Sequence, residues 1–106
     1  MVGGDQPPVA RIDPSYVTAS AGQAVELRCI VSGYPAPRIE WSGGPGGVMP
    51  RDAIIENDIL RFPAVSQQHQ GEYHCTAINQ GGRSSVRTVV VVEEGIGLVV
   101  VLFKWI

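Results

Sequence analysis

The sequence predicts an all-β protein, two antiparallel sheets packed face to face as a sandwich. Three observations carry that prediction. Val25, Leu27, Cys29 and Val31 alternate with Glu26 and Arg28, the two-residue period of a half-buried strand. Leu60 and Phe62 repeat the alternation, Val65 turns inward, and after a polar run Gly71, Tyr73 and Cys75 again fall two apart. That is strand, tight corner, strand. Finally, turn residues punctuate the chain at short intervals, and no helical period lasts longer than a turn.

Taken in order, Met1 to Gln6 reads as linker. Pro7-Pro8 opens an edge strand, Val9 to Asp13, where proline is tolerated because the edge donor faces solvent. Pro14-Ser15 breaks it and Tyr16 to Ala19 resumes, the pattern of a first strand that switches sheets. Ala21-Gly22 turns the chain into the strand of Val25 to Val31. Gly33-Tyr34-Pro35-Ala36-Pro37 is a turn-rich connection. In the next strand Ile39 and Trp41 point inward, and Arg38, Glu40 and Ser42 point out.

Gly43-Gly44-Pro45-Gly46-Gly47 then places four glycines around a proline. It lacks the GxxxxGK[ST] pattern and the following helix of a phosphate loop, so it is a flexible or tightly turned connection at a sheet edge. A short strand at Ala53-Ile54-Ile55 leads through the turn Asn57-Asp58 into Leu60 and Phe62. Gln80-Gly81-Gly82 forms a hairpin in which glycines supply positive φ. Arg83 to Val92 is the last strand, with Ser84, Val86, Thr88, Val90 and Val92 on one face. Seven strands result, with no internal repeat.

A chain of 106 residues, 44% hydrophobic, suits one domain with a real core. Its net charge of -2 and pI near 5.5 argue against a nucleic-acid partner, which needs a basic face. Seven of the eight basic residues are arginines, spread singly from Arg11 to Arg87, and Lys104 is the only lysine. Scattered in this way they read as solvated surface.

Nothing in the sequence points to catalysis or to a cofactor. Its two cysteines allow one disulfide, and at 46 residues apart they form neither a CxxC redox motif nor a zinc site. His69 and His74 lack any familiar metal spacing. No serine lies in a G-x-S-x-G elbow, and Asn57 and Asn79 are not in N-x-[ST] sequons. Ser32-Gly33 and Ser42-Gly43 are Ser-Gly pairs of the kind that carry glycosaminoglycan, but only Glu40 is acidic nearby and both border strands. No catalytic residue, cofactor-binding residue, metal ligand or small-molecule substrate is expected.

Two stretches together carry a resemblance. Gly22…Val25-x-Leu27-x-Cys29-x-Val31-x-Gly33-x-Pro35-x-Pro37-x-Ile39-x-Trp41 is similar to the first half of an intermediate-set immunoglobulin domain. Leu60-x-Phe62…Val65…Gly71-x-Tyr73-x-Cys75-x-Ala77-x-Asn79…Gly82 is similar to its second half. More narrowly, the run from Glu40 to Pro50 with Ile59 to Val65 resembles the tandem modules of basement-membrane heparan-sulfate proteoglycans.

The resemblance implies an immunoglobulin-like β-sandwich over residues 7–94. It implies a disulfide between Cys29 and Cys75 with Trp41 packed against it, and a core that includes Leu60 and Tyr73, the latter as a tyrosine corner whose hydroxyl bonds back to the turn. By the same resemblance, such a bridge belongs to an oxidising compartment and the module to a secreted protein of the extracellular matrix, the basement membrane. Its partners would be matrix or cell-surface proteins and neighbouring modules of its own chain. A cell-surface receptor, or an intracellular filament protein with reduced cysteines, are the alternatives.

Two departures stand out. His69 occupies the place where the family usually has aspartate in D-x-G-x-Y-x-C, so the aspartate's backbone bonds and ion pair are lost or replaced by imidazole. The apolar stretch 95–106 runs past the expected end and is too short to span a bilayer, which takes about 20 apolar residues; it reads as a tail outside the fold. No secretory leader is visible at Met1 to Gln6, so the chain reads as a module whose leader lies upstream. Parity places Arg38, Glu40, His74 and Arg87 on one outer sheet face, the candidate docking surface.

Overall fold

Alternating side chains give each strand one apolar face, and a sheet with one apolar face must stack on another. The computed structural model describes residues 4–94, and the apolar stretch 95–106 lies outside the described residues. Eight strands form: β1 (Gln6–Asp13), β2 (Tyr16–Ser20), β3 (Val25–Tyr34), β4 (Arg38–Gly43), β5 (Ile54–Glu56), β6 (Ile59–Phe62), β7 (Gly71–Asn79) and β8 (Gly82–Glu93). They make two four-stranded sheets, in the orders β1-β3-β6-β5 and β2-β8-β7-β4. β1 therefore starts at Gln6, inside the stretch read as linker.

The expected strand switch occurs at Pro14-Ser15: β1 pairs with β3 in one sheet and β2 with β8 in the other. It has a consequence that an all-antiparallel expectation missed. The chain crosses between sheets without reversing, so β2 meets β8 as a parallel neighbour, Tyr16 opposite Val89 through Ser20 opposite Glu93. All other pairings are antiparallel. Counting the switched strand as two turns the predicted seven strands into eight.

Between the sheets lie Leu27, Leu60, Phe62, Val65, Tyr73 and Val90, all but sealed from solvent. Cys29 and Cys75 join the sheets with their Cα atoms 6.3 Å apart, within the ordinary span of a disulfide. Around the bridge, Ala10, Ile12 and Ala77 complete a second buried cluster.

Trp41 packs against the cluster that holds the bridge, as expected, and against the larger cluster as well, but it stays only partly buried, as does Ile39. The reason is topological: β4 is a sheet edge, paired only with β7. One flank of the indole is therefore closed by a loop rather than by a strand. Its Nε1–H donates to the carbonyl of Asn57 at 3.0 Å, which satisfies the one polar atom of the ring.

Candidate functional site

The outer face of the β2-β8-β7-β4 sheet is built by strand parity. β4 sends Arg38, Glu40 and Ser42 outward. Cross-strand pairing sets Glu40 opposite Thr76, Ser42 opposite His74, and His74 opposite Arg87. All four residues expected on this face are thus on one sheet, but in two groups. At the β4 edge, Arg38 Nη1 donates to Glu40 Oε2 at 3.0 Å. At the other end, Glu72 joins His74 and Arg87: His74 Nε2 lies 3.2 Å from Oε1, and Arg87 Nη1 donates to Oε2 at 2.6 Å.

Glu72 is the member of this candidate face that the sequence reading missed. Its signal was present, because it lies two residues before His74 on the same strand and must share its face. Arg83 joins the face too, opposite Ile78. Between the charged groups, the hydroxyls of Thr76 and Ser85 meet at 3.1 Å. The surface is of mixed charge, and by strand parity Tyr16, Ile78, Val89 and Val91 lie on it as well. Its ion pairs are exposed, worth at most about 1 kcal/mol each to stability, so they are free to be traded for contacts with a partner.

The corner below this face is the second notable site. Ser66 caps the short 3₁₀ turn Gln67–His69, its Oγ accepting from Gln68 N–H at 3.3 Å. His69 is only 3% exposed. Its Nδ1 accepts the Ser66 backbone N–H at 2.9 Å, so the ring carries its proton on Nε2, which faces both Asp52 carboxylate oxygens at 2.8 and 3.0 Å. The ring packs on Phe62, centroids 4.8 Å apart.

Imidazole thus does the backbone work of the missing aspartate, and the carboxylate has moved to the opposite loop. Tyr73 completes the corner, its hydroxyl donating to the carbonyl of His69 at 2.7 Å. Burial, and then the nearby Asp52 charge, push the Tyr73 pKa up to about 12.

In the glycine loop two of the four glycines, Gly43 and Gly44, are sterically required. Gly43 and Gly44 have φ of 104° and 115°, and a Cβ on either would run into a backbone carbonyl, of Glu72 or of Val48. The loop hugs β7, Gly44 N–H donating to Glu72 O at 2.9 Å. At the opposite turn the expectation needs amending: only Gly82 has a positive φ, of 142°, and it already pairs with Asn79 as the first residue of β8. Among the described residues no group of three or more His, Cys, Asp or Glu side chains is arranged to hold a metal ion. None of their helices is long and apolar enough to cross a membrane.

Known proteins share this architecture. A family model described as immunoglobulin domain matches residues 7–79. The chain is 43% identical over 90 residues to a mouse protein, "Basement membrane-specific heparan sulfate proteoglycan core protein", covering 85% of this chain and 2% of that one. It is 38% identical over 80 residues to rat "Contactin-2", covering 76% of this chain and 8% of the relative. The chain therefore spans only a small part of these relatives. Among solved structures, a titin M10–obscurin-like 1 immunoglobulin complex superposes with a TM-score of 0.69 at 26% identity, over 86% of this chain and 97% of that one. The Cys29–Cys75 bridge, the Tyr73 corner and the two-sheet topology agree with these matches: the chain belongs to the immunoglobulin-domain family.

Proposed function

We propose that the chain is a non-catalytic interaction module of a multidomain extracellular matrix proteoglycan, at home in the basement membrane. It binds matrix or cell-surface proteins through the outer face of β2-β8-β7-β4, and neighbours other immunoglobulin modules in its own chain. The observation that carries this reading is the face itself, where Arg38, Glu40, Glu72, His74 and Arg87 form exposed polar pairs on one sheet. Such a surface suits a specific, polar contact, and arginine brings a planar fork to it. The likeness to the mouse proteoglycan core protein supports the matrix setting. The cystine agrees with a secreted protein and weighs against the intracellular filament reading.

Alanine substitution of Arg38, Glu40, His74 and Arg87, one at a time, tests this reading by retention of matrix proteins on the immobilised module. At least one variant is expected to lose retention several-fold. If all four retain partners like the parent, docking lies elsewhere.

The second reading, a cell-adhesion ectodomain, draws on the 38% identity to rat Contactin-2. Binding to cell surfaces in preference to matrix would favour it.

A further inference from the structure

Beyond the sheet face, we propose that the open half of β8 is a strand-addition site for an extended segment of a partner protein, one that alternates apolar and acidic residues. β2 covers only Val89–Glu93 of β8, so among the described residues β8 from Gly82 to Thr88 has a ladder neighbour only on its β7 side. An uncovered strand edge offers its main-chain donors and acceptors to another chain.

What lies beside that edge selects the occupant. β1 belongs to the other sheet, and a groove opens between it and β8, lined among others by Val9, Ile12, Ile30, Val31 and Val86. Val9 and Ile30 are exposed. The ends of this wedge are tied by side chains. Ser84 Oγ accepts from Ala10 N–H at 3.2 Å, and Thr88 Oγ1 donates to the carbonyl of Pro14 at 2.8 Å. These bonds tie the two lips together at Ser84 and Thr88 and fix their spacing, with Val86 between the ties.

A strand added along β8 turns alternate side chains toward this apolar wedge. The others lie over the outer sheet face, beside Arg83 and Arg87. Arg11 lines the other lip, and no Asp or Glu lines the groove. Apolar residues facing in and carboxylates facing the arginines satisfy both sides, because opposite charges on neighbouring strands stabilise and like charges do the reverse.

The same rule disfavours two other occupants. Two copies paired antiparallel about Ser85 would set Arg83 of one against Arg87 of the other. The chain's own stretch 95–106 carries Lys104 and no acid.

The test uses the full chain and a fluorescein-labelled seven-residue peptide of alternating valine and glutamate, followed by anisotropy. The peptide is expected to bind, its lysine-for-glutamate counterpart at least tenfold more weakly. Arg83→Glu and Arg11→Glu should each weaken binding by tenfold or more; both residues are exposed, and an unchanged melting temperature checks the fold. N-methylation of alternate peptide residues should abolish binding in one register and spare it in the other, the signature of a ladder made along one edge.

Arg38→Ala and Glu40→Ala should leave the peptide affinity unchanged, which separates this groove from the sheet face. Equal binding of both peptides, or indifference to N-methylation in both registers, would overturn the proposal. So would self-association that the peptide cannot reverse, since the groove would then belong to a second copy.

Discussion

At the scale of single residues, the corner around His69 shows how a family position can change chemistry and keep its job. The ring accepts one backbone N–H at Nδ1 and donates its Nε2–H to the Asp52 carboxylate. His69→Asp would keep the acceptor but point a carboxylate at another carboxylate, and should cost about 1–3 kcal/mol, the penalty of a buried partner lost. Adding Asp52→Arg should recover most of it. A double-mutant cycle by urea unfolding checks this, with coupling above about 1 kcal/mol expected for residues in direct contact.

Tyr73 gives a pH dependence with a fixed sign. Its folded pKa is raised from 10.0 to about 12, so burial favours the neutral phenol. The stability it contributes is whole below pH 10 and falls away as pH rises through 12. Tyr73→Phe should flatten this alkaline decline relative to the parent, while at neutral pH it leaves the His69 carbonyl unpaired at a cost of about 1–3 kcal/mol. Trp41→Ala should cost about 2–3 kcal/mol, less than a fully buried tryptophan would, because its ring is only partly buried. Denaturant midpoints measure both.

At the scale of elements, Gly43 and Gly44 at the start of the glycine loop are a steric necessity. Gly44→Ala should cost at least about 2 kcal/mol, from the positive φ that disfavours a Cβ together with the collision with Val48. Gly4→Ala, whose Cβ would touch nothing, is the control, and thermal unfolding of both reads the difference.

The same elements show how much was legible in sequence. Period-two alternation placed β3, β6, β7 and β8 on their correct faces, since burial follows parity one residue at a time. Alternation says nothing of which strand sits at an edge, and so Trp41 and Ile39 were expected deeper than they lie. Nor can it reveal a parallel neighbour, because the direction of β2 against β8 depends on how the chain crosses between sheets. Glu72 and the Asp52–His69 pair differ in this respect. The first was readable from parity with His74, whereas the second joins residues 17 apart through a loop with no periodic signal.

At the scale of the whole molecule, two sheets, one bridge and one outer face of mixed charge make a platform. The bridge closes a loop of 46 residues, worth about 4 kcal/mol in the chain-entropy account. Cys29→Ala with Cys75→Ala should lower stability by roughly that amount, with some relief from repacking. Guanidinium unfolding of the double variant against the parent supplies the figure.

A platform of this kind presents two unlike faces to any partner. The outer face of β1-β3-β6-β5 carries looser ion pairs, Arg28 to Asp58 and Arg61 to Glu56, each at 3.7 Å. The proposed docking surface lies on the other sheet. Backbone amide chemical-shift mapping of the labelled chain, titrated with a matrix protein that it retains, tests this most directly. Shifts centred on Arg38, Glu40, Glu72, His74 and Arg87 are the predicted result; shifts confined to Arg28, Asp58 and Arg61 would contradict it.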